Sequence, residues 1–167
     1  MNAGQGMDAE AMAARIADGM RGVREIESSG DSFFVYDPMG DLPGDRWLPF
    51  ATIVTGDRHD QVSDLDRTGV FRLNIGLTTS TYVARFGPPP TGRAAAELLE
   101  SRFDYTALDV VMPHPVYAGH HWVCVLNPGA ATVPVVDELL AEAYAFAVRK
   151  DENRRRREGV ISEGAPT

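Results

Sequence analysis

The densest chemistry-bearing stretch is Pro113-His-Pro-Val-Tyr-Ala-Gly-His-His-Trp122, which holds three of the four histidines within eight residues. In an extended chain His114 and His120 share a face and His121 takes the other, so bringing all three together requires a turn at Gly119. Two imidazoles and the nearby Asp109 could hold zinc or iron. No His-x-Glu, Cys-x-x-Cys or His-Glu-x-x-His pattern accompanies them, however, and no metal or other cofactor is expected. Histidines that stabilise a turn through backbone hydrogen bonds account for the same residues without a ligand. A second cluster comprises Asp57, His59, Asp60, Asp64, Asp66 and Arg67. Its spacing lacks the alternating ligands and the glycine of a calcium loop, and it reads as a solvated acidic hairpin connection. Arg67 or Arg72 could clasp a carboxylate or phosphate ligand bidentately, or one of the many aspartates of this chain. Cys124, the only cysteine, sits between Val123 and Val125, where a thiol is buried and inert. No Gly-x-Ser-x-Gly elbow, Walker loop or dinucleotide fingerprint is present.

These residues need a scaffold, and local patterns outline one. Asp8 is placed to cap a first helix whose Met12, Ile16 and Met20 recur every four residues, and Gly22 closes it. Residues 23–26 and 33–36 read as strands joined by a Ser-Ser-Gly-Asp turn, and 51–55 as a third. Residues 37–49 and 56–69 read as loops. Phe71, Leu73 and Ile75 alternate with Arg72 and Asn74, which predicts a strand with an apolar and a polar face. Thr78 or Thr79 caps a short helix to Phe86, stopped by Gly87-Pro-Pro-Pro90, and a second short helix follows over 94–103. Trp122–Leu126 reads as a buried strand. Thr132 then caps a strong helix ending near Lys150, with Val136, Leu139, Leu140, Ala143, Phe146 and Ala147 on its buried face. With no β-α-β alternation, the expected class is α+β: one mostly antiparallel sheet with the first and last helices on one face.

Length and charge agree with a single domain. The chain has 167 residues, 44% hydrophobic and 24% charged, enough for one core without staples. Sixteen basic against 24 acidic residues leave −8, and fifteen of the basic residues are arginine. Residues 149–158 hold six positive and three negative charges, so the remainder carries −11. That body repels phosphate backbones, which disfavours nucleic acid as a partner even with Arg154–Arg157 as a short basic arm. No eighteen-residue apolar run and no signal-like start are found, so no membrane partner and a cytoplasmic location are expected. The expected organisation is a domain over 8–150, a flexible extension over 1–7 with Met7 as an alternative start, and a disordered tail over 151–167.

Several segments in order carry a family resemblance. They are Asp31-Ser-Phe-Phe-Val-Tyr-Asp-Pro38, Pro49-Phe-Ala-Thr-Ile-Val-Thr55, Ser63-Asp-Leu-Asp-Arg67, Gly69-Val-Phe-Arg-Leu-Asn-Ile-Gly76, Tyr105-Thr-Ala-Leu-Asp109, Pro113-His-Pro-Val-Tyr117 and Trp122-Val-Cys-Val-Leu-Asn-Pro128. Together they resemble an uncharacterised, actinobacterial domain family of unknown function over residues 8 to 150, which implies no activity. More distantly the chain is similar to the MmcQ/YjbR group. That resemblance implies a frataxin-like α-β-α arrangement and, for some members, DNA binding through hairpin wings. Here the acidic body, and Ile75-Gly76 in place of the group's usual lysine, depart from the pattern.

Three functions remain open from sequence. The first is a non-catalytic module binding a small molecule or a protein partner at a concave site formed by Arg72, Asn74, His114, Tyr117, His120 and Trp122. The second is a small enzyme with a histidine general base acting on a natural-product-type intermediate. The third is a DNA-binding wing. Oligomeric state is not legible.

Overall fold

The computed structural model describes residues 7–163, with side chains through Gly159. The flexible extension expected over 1–7 therefore falls almost wholly outside the described residues, as do 164–167. Met7 is held by a backbone bond from its N–H to the carbonyl of Pro128 (3.1 Å).

Six strands form one antiparallel sheet: β1 (Val23–Ser28), β2 (Asp31–Tyr36), β3 (Ala51–Val54), β4 (Arg72–Gly76), β5 (Met112–Pro113) and β6 (Trp122–Leu126), in the order β1-β2-β3-β4-β6-β5. Helices α1 (Ala9–Gly19) and α4 (Val133–Glu163) cover one face; α2 (Thr79–Phe86) and α3 (Arg93–Glu100) lie between β4 and β5 in the chain. The fold is α+β, as the patterning implies. Among the described residues no helix is long and apolar enough to cross a membrane.

Strand alternation builds the core. Phe34, Ala51, Ile53, Leu73, Ile75, Val123 and Val125 point to the helices, where they meet Met12 and Ile16 of α1 and Val136, Leu139, Leu140 and Ala143 of α4. The two helices are tied by Arg15, which donates to both carboxylate oxygens of Asp137 (2.8 and 2.5 Å). Asp8 caps α1 through Ala11 N (2.7 Å), and the β1–β2 hairpin turns on Ser29 and Gly30, both at positive φ (54° and 87°), the pairing a two-residue turn demands.

The start of α4 lies where the sequence places it, and its end does not. Thr132 immediately precedes α4 and its carbonyl accepts from Val136 N (2.8 Å), but its hydroxyl is turned to Asp109, whose carboxylate holds the turn before the helix by accepting from the N–H groups of Gly129, Ala131 and Thr132 and from that hydroxyl (2.5–3.0 Å). These bonds outweigh the cost of partial burial and hold the Asp109 carboxyl below its ordinary pKa. Replacing Asp109 with alanine is expected to cost about 1–3 kcal/mol, the range for donors left without a charged acceptor, read from the urea midpoint. A loss under about 0.5 kcal/mol would show that the turn before α4 holds without that carboxylate.

The end of α4 differs from the disordered tail expected over 151–167 as far as residue 163; the rest of that tail lies outside the described residues. The helix continues to Glu163. Asp151 is buried and accepts from Arg154 (3.0 Å) and Arg155 (2.9 Å), while Arg154 also reaches Glu158 (3.2 Å). Oppositely charged partners three and four residues apart carry the helix past the basic residues that read as its last turn. Arg155 further pairs with Asp41 (2.9 Å) and Arg46 with Glu158 (3.6 Å), which ties the loop 37–50 to the helix as a strap.

Candidate functional site

A cavity of about 520 Å³ opens where β4 ends and β6 begins. Its floor is α4, where Ala143 and Ala147 leave room that larger side chains would fill. Its walls are Phe50 and Leu48 of the strap, Phe146 of α4, and Trp122. The indole of Trp122 lies over Gly76, where an added Cβ would stand 2.9 Å from the ring. Glycine at 76 is therefore a packing requirement. His120 and His121 close one side, where a single 3₁₀ turn over Ala118–His120 ends with His121 at φ 69°. Lys150, the only lysine of the chain, stands exposed at the mouth with its ammonium 4.1 Å from the centre of the Phe146 ring. Partial desolvation there lowers its pKa.

A smaller cavity of about 170 Å³ lies between α3 and the turn after β5, lined by Leu99, Tyr105, His114 and His120 among others. His114 is 4% exposed. Its Nδ1 accepts from the backbone N–H groups of Val116 and Tyr117 (3.0 Å each), which assigns the proton to Nε2. The imidazole thus acts as a turn stabiliser. Burial, reinforced by the Arg72 charge and only partly opposed by Asp60, holds its pKa down to about 3. Tyr105 donates its hydroxyl to the Pro113 carbonyl (2.7 Å), and burial raises its pKa well above the ordinary value.

Arg72 and Asn74 stand on the sheet face away from α1 and α4, beneath the connection between β3 and β4. Arg72 is buried and donates to both oxygens of Asp60 (3.0 and 2.7 Å), to Ser63 Oγ (3.0 Å) and to Asn74 Oδ1 (3.1 Å). Asn74 in turn donates to Thr52 Oγ1 (2.9 Å). Burial alone would raise the Asp60 carboxyl, but the Arg72 hydrogen bonds and charge bring it below the ordinary value. The same connection is folded on itself: Asp57 accepts from Leu65 N (2.8 Å) and Asp66 from Asp57 N (3.1 Å), while Leu65 enters a second apolar cluster with Met112 and Cys124. The expectation of a solvated acidic hairpin is corrected on this point, since Asp57, Asp60 and Asp66 serve as internal acceptors, while Asp64 stays exposed. Cys124 is fully buried, its thiol pushed up to about 12 by desolvation.

Asp31 anchors the start of the connection. Its buried carboxylate accepts from Thr55 N (2.9 Å) and Arg58 (2.8 Å) and contacts His59 Nε2 (3.0 Å). His59 is exposed and lines neither cavity, and it sits at the opposite end of β2 and β3 from the larger one.

The six residues grouped from sequence do not share one site. His120 and Trp122 line the large cavity, His114 and again His120 the small one; Tyr117 lies beside the His114 ring (5.0 Å between centres) and is 53% exposed; Arg72 and Asn74 are closed inside the fold. Asp109 is committed to α4 and His114 to its turn, and among the described residues no group of three His, Cys, Asp or Glu side chains could hold a metal ion. The strap residue Leu48 and, on α4, Lys150 were not singled out by sequence; the one lysine among fifteen arginines was the signal available for Lys150.

No curated protein and no solved structure matches the chain. One family model does, over residues 7–156, and this span takes in the whole sheet, all four helix starts and the arginines that hold the strap. The chain is therefore a member of the family of unknown function DUF6194.

Proposed function

We propose that this protein is a small-molecule-binding module whose ligand occupies the cavity between α4, the strap and Trp122. The observation that carries the reading is the cavity itself. It is preformed, its volume of about 520 Å³ lies within the roughly 300–1,000 Å³ usual for ligand sites, and it combines aromatic and aliphatic walls with polar groups from the strap, the start of α2, His120–His121 and the far end of α4. The reading keeps His120 and Trp122 from the sequence-derived set and releases Arg72 and Asn74, whose hydrogen bonds are spent inside the protein.

A panel of neutral fragments observed by saturation-transfer NMR tests it. Fragments that bind the wild type should lose their signal in Ala147→Phe, which fills the floor, while the melting temperature stays within a few degrees. Hits that persist unchanged in the variant would place the ligand elsewhere and end the proposal.

The enzyme alternative draws on His120 and His121 at the cavity wall. Among the described residues neither ring is hydrogen-bonded to a carboxylate or hydroxyl that would orient it as a base, whereas His59, which has Asp31, lies at the far end of the strands. The DNA alternative is weakened by Arg154 and Arg155, whose guanidinium groups are engaged with Asp151, Glu158 and Asp41.

A further inference from the structure

We infer that the cavity takes an organic acid, with an apolar or aromatic body between Trp122 and Phe146 and a carboxylate at the Lys150 ammonium. The inference rests on the small-molecule reading and adds the chemical class and the orientation of the ligand.

The argument starts from the polarity of α4. Glu142, Phe146, Lys150 and Arg154 recur every four residues and so share a face, spanning about 18 Å at 1.5 Å per residue. At the Glu142 end a carboxylate is already in place: it accepts from the hydroxyls of Thr78 (3.1 Å) and Thr81 at the start of α2. A second acid there would meet like charge. At the other end Lys150 presents three N–H donors, while its neighbour Asp151 turns its carboxylate to Arg154 and Arg155. Among the described residues no carboxylate pairs with Lys150, and its ammonium rests on the Phe146 ring.

The local charge balance agrees. In a chain of net −8 the cavity lining carries Arg46, Lys150 and Arg154 against Asp45 and Asp151, an excess of positive charge. A ligand carboxylate placed there would gain a charge-assisted hydrogen bond that no internal group supplies. The remaining walls, Trp122, Phe50 and Phe146, offer flat apolar area to the rest of the molecule.

Two probes of one shape and different charge test this: 2-naphthoate and its neutral amide, 2-naphthamide, titrated calorimetrically into the full chain at pH 7. The expected result is about tenfold tighter binding of the acid, the worth of one charge-assisted contact. In Lys150→Met the acid should fall to the affinity of the amide while the amide is unchanged, and Lys150→Arg should keep the preference. Lys150 is exposed, so these variants should melt with the wild type, which is checked alongside. Equal binding of acid and amide by the wild type would overturn the acid assignment and leave the cavity reading standing. So would an acid preference untouched by Lys150→Met, or failure of both naphthyl probes while neutral fragments still bind in an Ala147-dependent way. Failure of every probe and fragment would instead overturn the cavity reading beneath it.

Discussion

Asp60→Ala is expected to destabilise the protein by about 3–5 kcal/mol, the cost of leaving a buried charge without its partner. Arg72 is 1% exposed and Asp60 only 11%, so neither side chain can turn to water when the other is removed. Ser63 and Asn74, the remaining acceptors of Arg72, are neutral and hold one hydrogen bond each. Urea unfolding of three variants separates the charge effect from packing. The single variants Asp60→Ala and Arg72→Met should each lose several kcal/mol, and the double variant Asp60→Leu/Arg72→Met should recover more than half of the loss, because a well-packed apolar pair can replace a buried ion pair. A single variant within about 1 kcal/mol of wild type would mean that water reaches the pair and that the connection over β4 is open in solution.

Mild acid should weaken the fold through one histidine. His114 is neutral in the folded protein down to about pH 3, while an unfolded chain protonates it near pH 6.5. Between those values the unfolded state binds one more proton, so stability falls by about 1.4 kcal/mol for each unit of acidification. The full window amounts to about 4–5 kcal/mol, a large fraction of the total for a domain of this size. The depressed carboxylates Asp60 and Asp109 also favour the fold, but that contribution is lost only as pH drops below about 4, where an unfolded aspartate takes up its proton. The interval from pH 6.5 to 4.5 therefore separates the His114 contribution from those two carboxylates. Denaturant midpoints across that interval should decline in the wild type and flatten in His114→Asn, whose side-chain oxygen can still accept from Val116 and Tyr117. An equal decline in both proteins would show that His114 opens to solvent and is protonated in the fold.

Local periodicity made the sheet and helix starts legible. Asp8 and Thr78 cap where their spacing to the apolar residues placed them, and the alternation of Phe71, Leu73 and Ile75 identified the central strand and its polar face. What that polar face meets was not legible. Asp60 reaches Arg72 across twelve residues of connection, and composition alone cannot distinguish an aspartate that folds inward from one that stays in water. The end of α4 was misplaced because Arg149 and Lys150 are the charges that favour a helix terminus, whereas Asp151 and Glu158 supply the partners that prolong it. The cavity is assembled from strap, strand ends, turn and helix, so no single stretch of sequence carries its pattern. Ala147 and Phe146 were legible as an inward-facing helix surface, but whether that surface meets a partner or empty space depends on the strap that closes over it.

The strap bears a different kind of consequence. Its outer fastenings, Arg155–Asp41 and Arg46–Glu158, join side chains at or near the surface, and the stacking of Arg24 on Trp47 (4.8 Å) lies at the same rim. Charges in water attract over about 8 Å at physiological ionic strength and only about 3 Å in molar salt. The interior of this protein is therefore indifferent to electrolyte while its doorway is not. Added salt is therefore expected to loosen these fastenings, and the rates of ligand entry and exit should rise with the salt of the buffer.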